Sequence, residues 1–272
     1  MAGSGSTESM VRIKHSGLVF YQFTALRQER GLQHGFFARL GGVSRPPFAT
    51  LNVGASVGDD PQAVAMNRQR CFSALGLAEP MVVTPYQVHG TRIARVGPAE
   101  GGRVIADTDG LLSDREGTVL FLRFADCVPI LLYDRRCRAI GLVHAGWRGT
   151  LDGIAALAVA AMRDCFGTDP AALWAGIGPA IGPCHYEVPP DLAEYFARRF
   201  GPQVLAWPGD GGTRLDLPAA NALALQEAGV RSVVQAGLCT ACHTDEFFSH
   251  RAEGGHTGRL AALAGLVVGD DR

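Results

Sequence analysis

Between Thr118 and Thr150 the chain reads TVLFLRFADCVPILLYDRRCRAIGLVHAGWRGT, and few architectures can accommodate such a stretch. Its apolar runs at 119–125, 128–133 and 140–143 are too short for helices and rich in β-formers, so each reads as a buried strand. Polar residues break the runs where apolar ones would otherwise continue: Asp126 and Cys127 between the first two, His144 after the third. A polar side chain at the tip of a buried strand must find a partner or face a solvated cleft. A glycine-rich turn, Ala145-Gly146-Trp147-Arg148-Gly149, comes next. Thr150 is then placed to cap a helix with Ile154, Leu157, Ala158, Ala161, Met162 and Cys165 on one face and Gly167 at its end. Strand ends that open onto glycine-rich turns are where α/β proteins keep their chemistry.

The remaining chain alternates short apolar runs with amphipathic segments. Residues 34–39 form a strand leading into Leu40-Gly41-Gly42-Val43-Ser44. The glycine pair after Arg39 reads either as an anion cradle or as a plain turn. Asp59 or Asp60 caps a helix with Pro61 in its first turn and Val64, Cys71, Phe72 and Leu75 at helical spacing. Arg68 and Arg70 lie on that helix. Residues 81–88 repeat the central pattern, an apolar run ending in His89-Gly90, and 91–96 is placed to close a hairpin with it. A strand at 173–177, helices at 190–200 and 218–228, and strand-like segments at 232–238 and 260–268 complete the pattern. No repeat or linker interrupts it. The expected fold class is α/β, with residues 11–272 as one domain behind a flexible tail at 1–10.

Charge and composition exclude several roles. A net charge of -1 lacks the basic excess of a nucleic-acid binder. No apolar run approaches the ~20 residues that span a bilayer, and the opening MAGSGSTES lacks the basic and apolar segments of a signal peptide. Seven cysteines, an odd number, argue against a disulfide framework. A cytoplasmic protein without membrane or nucleic-acid partners is expected.

His89, Cys127 and His144 each stand at the end of an apolar strand. Two imidazoles and a thiolate with an open fourth position make the catalytic form of a zinc site, which lowers the pKa of bound water to about 7. Without metal, Cys127 reads as a nucleophile with a histidine base, or all three as satisfied polar groups. Cys239-Thr-Ala-Cys242-His243 matches the CxxCH pattern of covalent haem attachment. That chemistry belongs to exported proteins, so core or loop cysteines are expected there, with a second zinc site as the other reading. Asp107, Asp109, Asp114 and Asp126 all lie near the central strands, and any of them can serve as a general base.

Taken in order, HGFFARLGGVS, LNVG, GDDPQAVAMNR, QVHG, ADCVPILLYD, HAGWRGT, GIGPAIGPCHYEV, LDL, CT and FFSHR run from His34 to Arg251. In these segments the chain resembles the YfiH-like "laccase domain" family, whose members are also called peptidoglycan editing factors or purine nucleoside phosphorylases. The resemblance implies a compact single-domain α/β sandwich of mixed sheets flanked by helices, with residues 11–272 as the catalytic domain, and zinc held by the residues matching His89, Cys127 and His144. It also implies phosphorolysis of adenosine, inosine, guanosine and methylthioadenosine, so that purine nucleoside and phosphate are the partners, with adenosine deamination in some members. Arg68, matching the arginine of the family's NR pair, and Arg39 are the expected substrate or phosphate ligands. The chain departs from the family pattern at Phe124, where threonine is common, and at Arg251-Ala252, where two arginines are common. Two further readings belong to the family names: a hydrolase that edits peptidoglycan precursors, and a copper polyphenol oxidase. A multicopper centre needs many histidines, whereas this chain has eight and no His-x-His pair. A non-catalytic zinc protein is the remaining alternative, and an open metal position argues against it.

Overall fold

Pleating sends successive side chains of a strand to opposite faces, and along the central strands both faces are apolar. In Val128–Asp134, residues Val128, Ile130 and Leu132 pack into one core, and Leu131 and Tyr133 into a second. In Thr118–Phe124, residues Leu120, Leu122 and Phe124 face that second core, and Val119 and Phe121 a third. Strands of this kind are stable only with a layer on each side. The architecture supplies those layers. It is seen in a computed structural model that describes residues 9–207, 209 and 212–267.

The seven-stranded sheet has the order Met10–His15, Leu18–Phe23, Leu32–Phe37, Leu260–Leu266, Thr118–Phe124, Val82–Pro85, Val104–Ile105. The six-stranded sheet has the order Ser232–Gln235, Trp174–Ile177, Val128–Asp134, Ala139–Ala145, Gly110–Ser113, Ile93–Arg95. The second core lies between them. Helix Pro61–Ala74 covers the outer face of the first sheet through Cys71 and Phe72. Ile154–Phe166, Pro190–Phe200 and Leu217–Glu227 cover the outer face of the second. A small third sheet, Glu187–Val188, Thr213–Leu215 and Leu205–Ala206, lies beside them. The expected α/β sandwich of mixed sheets flanked by helices is therefore present. Two of the three central strands are antiparallel neighbours in one sheet, while Thr118–Phe124 lies in the other. The chain changes layers across Ala125, Asp126 and Cys127.

Several local expectations need correction. Residues 1–8 of the tail expected at 1–10, and Val268 of the segment expected at 260–268, lie outside the described residues; Met10 already begins a strand. Segments 81–88 and 91–96 do not form a hairpin. Val82–Pro85 runs parallel to Thr118–Phe124, and Ile93–Arg95 crosses to the other sheet to pair with Gly110–Ser113. The amides between them are captured by a buried carboxylate instead of a facing strand. Nor does Thr150 cap the long helix. It lies inside a short helix, Trp147–Leu151, with Oγ1 donating to the carbonyl of Gly146 at 2.9 Å. Gly153, at φ 84°, starts the next helix in a left-handed conformation that glycine adopts without strain. Asp60 caps Pro61–Ala74 by accepting from the amide of Gln62, and Gly167 ends Ile154–Phe166, both as expected.

His34, on Leu32–Phe37, shows how a buried base affects stability. Its Nε2 accepts from the amide of Phe23 at 2.9 Å. Burial, with a smaller contribution from the Arg27 charge, lowers its pKa from 6.5 to about 4. The unfolded chain thus binds the proton first as pH falls, and this contribution to stability, complete above pH 6.5, is lost towards pH 4. Lowering pH from 7 to 4.5 should cost about 2–3 kcal/mol through this residue. In His34→Gln, which keeps an acceptor but cannot titrate, urea unfolding should show that much less pH dependence. Equal slopes in the two proteins would remove His34 as the cause.

Candidate functional site

The site is organised around Asp109, a fully buried carboxylate just before Gly110–Ser113. Its oxygens accept from the amides of Val88 at 3.1 Å, His89 at 3.0 Å and Gly90 at 2.8 Å. Oδ1 also lies 2.9 Å from Nδ1 of His144. Burial alone would raise the Asp109 pKa, but the bonds from His144 and the loop amides outweigh it and hold the group below its usual value. The loop needs such an anchor. His89 has φ 60°, a left-handed backbone that is unfavourable for a side chain with a Cβ. One carboxylate therefore sets the loop that presents His89 and the ring orientation of His144. Of the four aspartates near the central strands, Asp109 is the one at this centre. Asp114 pairs with Arg95, Asp107 turns the chain at φ 47°, and Asp126 accepts from Oγ1 of Thr240 at 2.6 Å and the amide of Arg251 at 2.7 Å.

Around this anchor the ligating atoms of His89, Cys127 and His144 all lie within 4.8 Å of one another. His144 lies on Ala139–Ala145, Cys127 sits just before its neighbour strand Val128–Asp134, and His89 comes from the anchored loop. The two imidazole rings meet edge to face at 4.9 Å. Gly146 makes room for them: a Cβ there would come within 2.9 Å of the His89 ring and 3.3 Å of the Cys127 sulfur. Burial raises the Cys127 thiol and lowers His144, but their mutual attraction dominates, so the thiol is pulled down and the imidazole pushed up. A thiolate, two imidazoles and a buried carboxylate orienting one of them form a donor set suited to a thiophilic divalent metal. The residues present fit such an ion.

Two cavities meet at this cluster and share His89, Ala125, Cys127 and His250 as walls. The smaller, about 260 Å³, is walled by Trp147, Tyr186, Ile181 and Leu217, and Asp126, Arg148 and Arg251 also line it. The larger, about 650 Å³, receives Arg68, Arg123 and Arg259. Their protein-facing donors go to carbonyl oxygens: Arg68 Nε to Val53, Arg123 to Pro85, Arg259 to Thr257 and Gly258. Among the described residues none of the three forms an ion pair with a carboxylate. Burial, and then the Arg68 and Arg259 charges, lower the Arg123 pKa to about 10. Three half-buried cations that raise one another's cost call for an anion.

Arg68 is therefore brought to the cluster, and Arg39 is not. The Arg39 guanidinium donates to the carbonyls of Ala49 and Thr244, pairs with Glu253 at 2.9 Å and lies over the Phe248 ring. It lines neither cavity at the cluster. The adjoining glycine pair is a packing device: the Gly42 amide donates to Thr50 Oγ1, and a Cβ at Gly42 would strike the Thr50 carbonyl at 2.1 Å. Sequence reasoning missed Arg123, Arg259 and His250. Arg123 left a signal, since it is a charge within an otherwise apolar strand. Arg259, at the edge of a strand, and His250, in a loop, left none.

The comparisons with known proteins converge on one family, whose members carry names for different activities. A family model described as multi-copper polyphenol oxidoreductase laccase matches residues 33–267. A protein named purine nucleoside phosphorylase YlmD, from Geobacillus stearothermophilus, is 38% identical over 247 residues, spanning 86% of this chain and 90% of that protein. A purine nucleoside phosphorylase from Corynebacterium glutamicum is 37% identical over 88% of this chain and 96% of its own length. Among solved structures, YlmD from Geobacillus stearothermophilus superposes with a TM-score of 0.89 at 34% identity, covering 96% of this chain and all of that one. The Bacillus licheniformis protein YfiH gives 0.87 at 34% identity, over 94% and 98% of the two chains.

Proposed function

The chain belongs to the family described as multi-copper polyphenol oxidoreductase laccase, and from that premise we propose that it is a zinc-dependent purine nucleoside phosphorylase. The observation that carries this reading is the placement of a His-Cys-His cluster between an aromatic-walled cavity and one lined by three arginines that have no carboxylate partner among the described residues. Phosphate fits the arginines, whose planar forks match its oxygens. The purine ring fits against Trp147 and Tyr186. Thiolate and imidazole favour zinc over magnesium or calcium. Copper oxidation of phenols is not supported by the donors: the second Cys/His group among the described residues holds a single histidine, too few for further coppers.

His89, Cys127 and His144 would hold the zinc, which supplies Lewis-acid charge stabilisation when bound. The chain's own residues do the rest. Arg68, Arg123 and Arg259 orient phosphate so that one oxygen faces the sugar C1′. As that oxygen bonds to C1′, the bond from C1′ to the purine N9 breaks and its electron pair moves into the base. The base must then take up a proton, which in this reading comes from His250, on the wall shared by both cavities. Residues from 11 onward act as one catalytic unit, since both sheets contribute to the site. Adenosine, inosine, guanosine and methylthioadenosine are the substrates of this reading, with deamination of adenosine as a side activity. A reducing cytoplasm suits the free cysteines.

The test is adenosine with purified, zinc-loaded protein, with and without phosphate. Adenine and ribose 1-phosphate appearing only with phosphate supports phosphorolysis. Inosine alone means a deaminase, and neither product shifts the reading to peptidoglycan precursors. Arg68→Lys extends the assay. It keeps the charge but loses the fork, and hydrogen bonds to charged groups are worth about 1.5–3 kcal/mol. A roughly ten- to hundredfold loss in phosphate-dependent kcat/KM is therefore expected, with zinc content unchanged. An unchanged phosphate titration would return Arg68 to a packing role.

A further inference from the structure

The CxxCH stretch does not close on itself. Cys239 and Cys242 meet Cys184 and His185, and the four ligating atoms all lie within 4.8 Å of one another. His243, the histidine of the sequence pattern, is not in the group. We propose that Cys184, His185, Cys239 and Cys242 form a second, structural zinc site that clamps the loop after Trp174–Ile177 to the loop after Ser232–Gln235.

Three observations carry this. The first is spacing. The Cys184 and Cys242 sulfurs are 3.3 Å apart, and His185 Nδ1 lies 3.4 Å from the Cys242 sulfur and 4.0 Å from the Cys239 sulfur. A tetrahedral zinc with S and N ligands at about 2.3 and 2.0 Å has edges of roughly 3.5–3.8 Å, within the span of that set. The second is composition: three thiols and one imidazole are a closed structural set, in contrast to the three-ligand cluster at the cavities. The third is support from the backbone. The Gly182 amide donates to the Cys239 sulfur at 3.2 Å.

The two loops are already neighbours. Their strands pair in parallel, and a bridge joins Ala180 to Cys239. Each loop then feeds a cavity wall: Tyr186 follows His185, and the second loop leads on to His250 and Arg251. A metal at this junction fixes walls contributed from distant parts of the sequence. Its binding releases thiol protons to solvent and requires no oxidant.

The test is metal content of protein purified under reducing conditions with zinc supplied. About two zinc per chain are expected in the parent, about one in Cys127→Ala and about one in Cys184→Ser/Cys242→Ser. In Cys127→Ala, cobalt substitution should give the strong sulfur-to-cobalt absorption of a tetrahedral thiolate site. A variant that fails to fold is bypassed by alkylation of the folded parent, where Cys184 and Cys242 should become reactive only after chelation. His185→Gln should weaken zinc retention without changing zinc at the first site. About one zinc in the parent that Cys127→Ala abolishes overturns the proposal. So does alkylation of Cys184 and Cys242 at equal rates with and without chelator, or a Cys184–Cys242 disulfide in the protein as isolated.

Discussion

Cys127→Ala is expected to empty the His89–Cys127–His144 cluster of metal and to lower phosphorolysis on the order of a thousandfold or more. Charge stabilisation by a bound metal supplies several kcal/mol, and each 1.36 kcal/mol is tenfold in rate. The fold should survive, because three apolar cores hold the layers together without the metal. The measurement pairs zinc analysis with turnover and a thermal melt. Full zinc occupancy at the first site in the variant, or turnover near that of the parent, would show that Cys127 is not a ligand. His144→Ala should behave alike, whereas His243→Ala should leave turnover within a few-fold, since His243 belongs to neither cluster.

The second large effect is expected from Asp109→Asn. The side chain stays the same size, but one oxygen becomes an NH₂ group facing loop amides or the His144 ring, all of which need an acceptor. Stranding a buried donor costs about 1–3 kcal/mol, and losing the carboxylate behind a metal-binding histidine typically costs 10–100-fold in metal affinity or activity. Both losses are expected here. Asp109 is a positioning residue, so stability alone would not test it. The informative readout is zinc affinity by competition with a chelator, at a temperature where the variant is folded. Parental zinc affinity together with parental kcat would leave Asp109 with a purely structural role.

How much of this was legible in the sequence depended on what each residue interrupts. Cys127 and His144 stand out because they break apolar runs, and His89 because it ends one. The α/β class was legible in short apolar runs alternating with amphipathic helices, whereas the sandwich was expected from the family resemblance. The hairpin expected at 81–96 failed because pairing is non-local: nothing between Val82 and Arg95 shows that Asp109, farther along, will take up the amides of 88–90. Thr150 failed because a left-handed Gly153 allows a second helix start that a capping pattern does not anticipate. Asp109 was one of four indistinguishable aspartates, since being buried is a property of the fold and not of spacing. The partnership of Cys239 and Cys242 with Cys184 and His185 was hidden in the same way, with the nearer His243 as decoy.

The layer change at Ala125-Asp126-Cys127 has a mechanical consequence. Arg123 stands on a strand of the seven-stranded sheet, Arg259 adjoins another, and Arg68 rides on the helix covering that sheet. Cys127 and His144 belong to the six-stranded sheet and the crossover entering it. The arginine end of the site is thus mounted on one slab and Cys127 and His144 on the other, so the distance between the two ends is a gap between slabs. That gap is set by the aromatic and aliphatic filling between them, Phe36, Leu131, Ile140 and their neighbours, acting as shims. A change of one methylene deep in this filling can misalign the two halves of the site while every residue lining it keeps its identity.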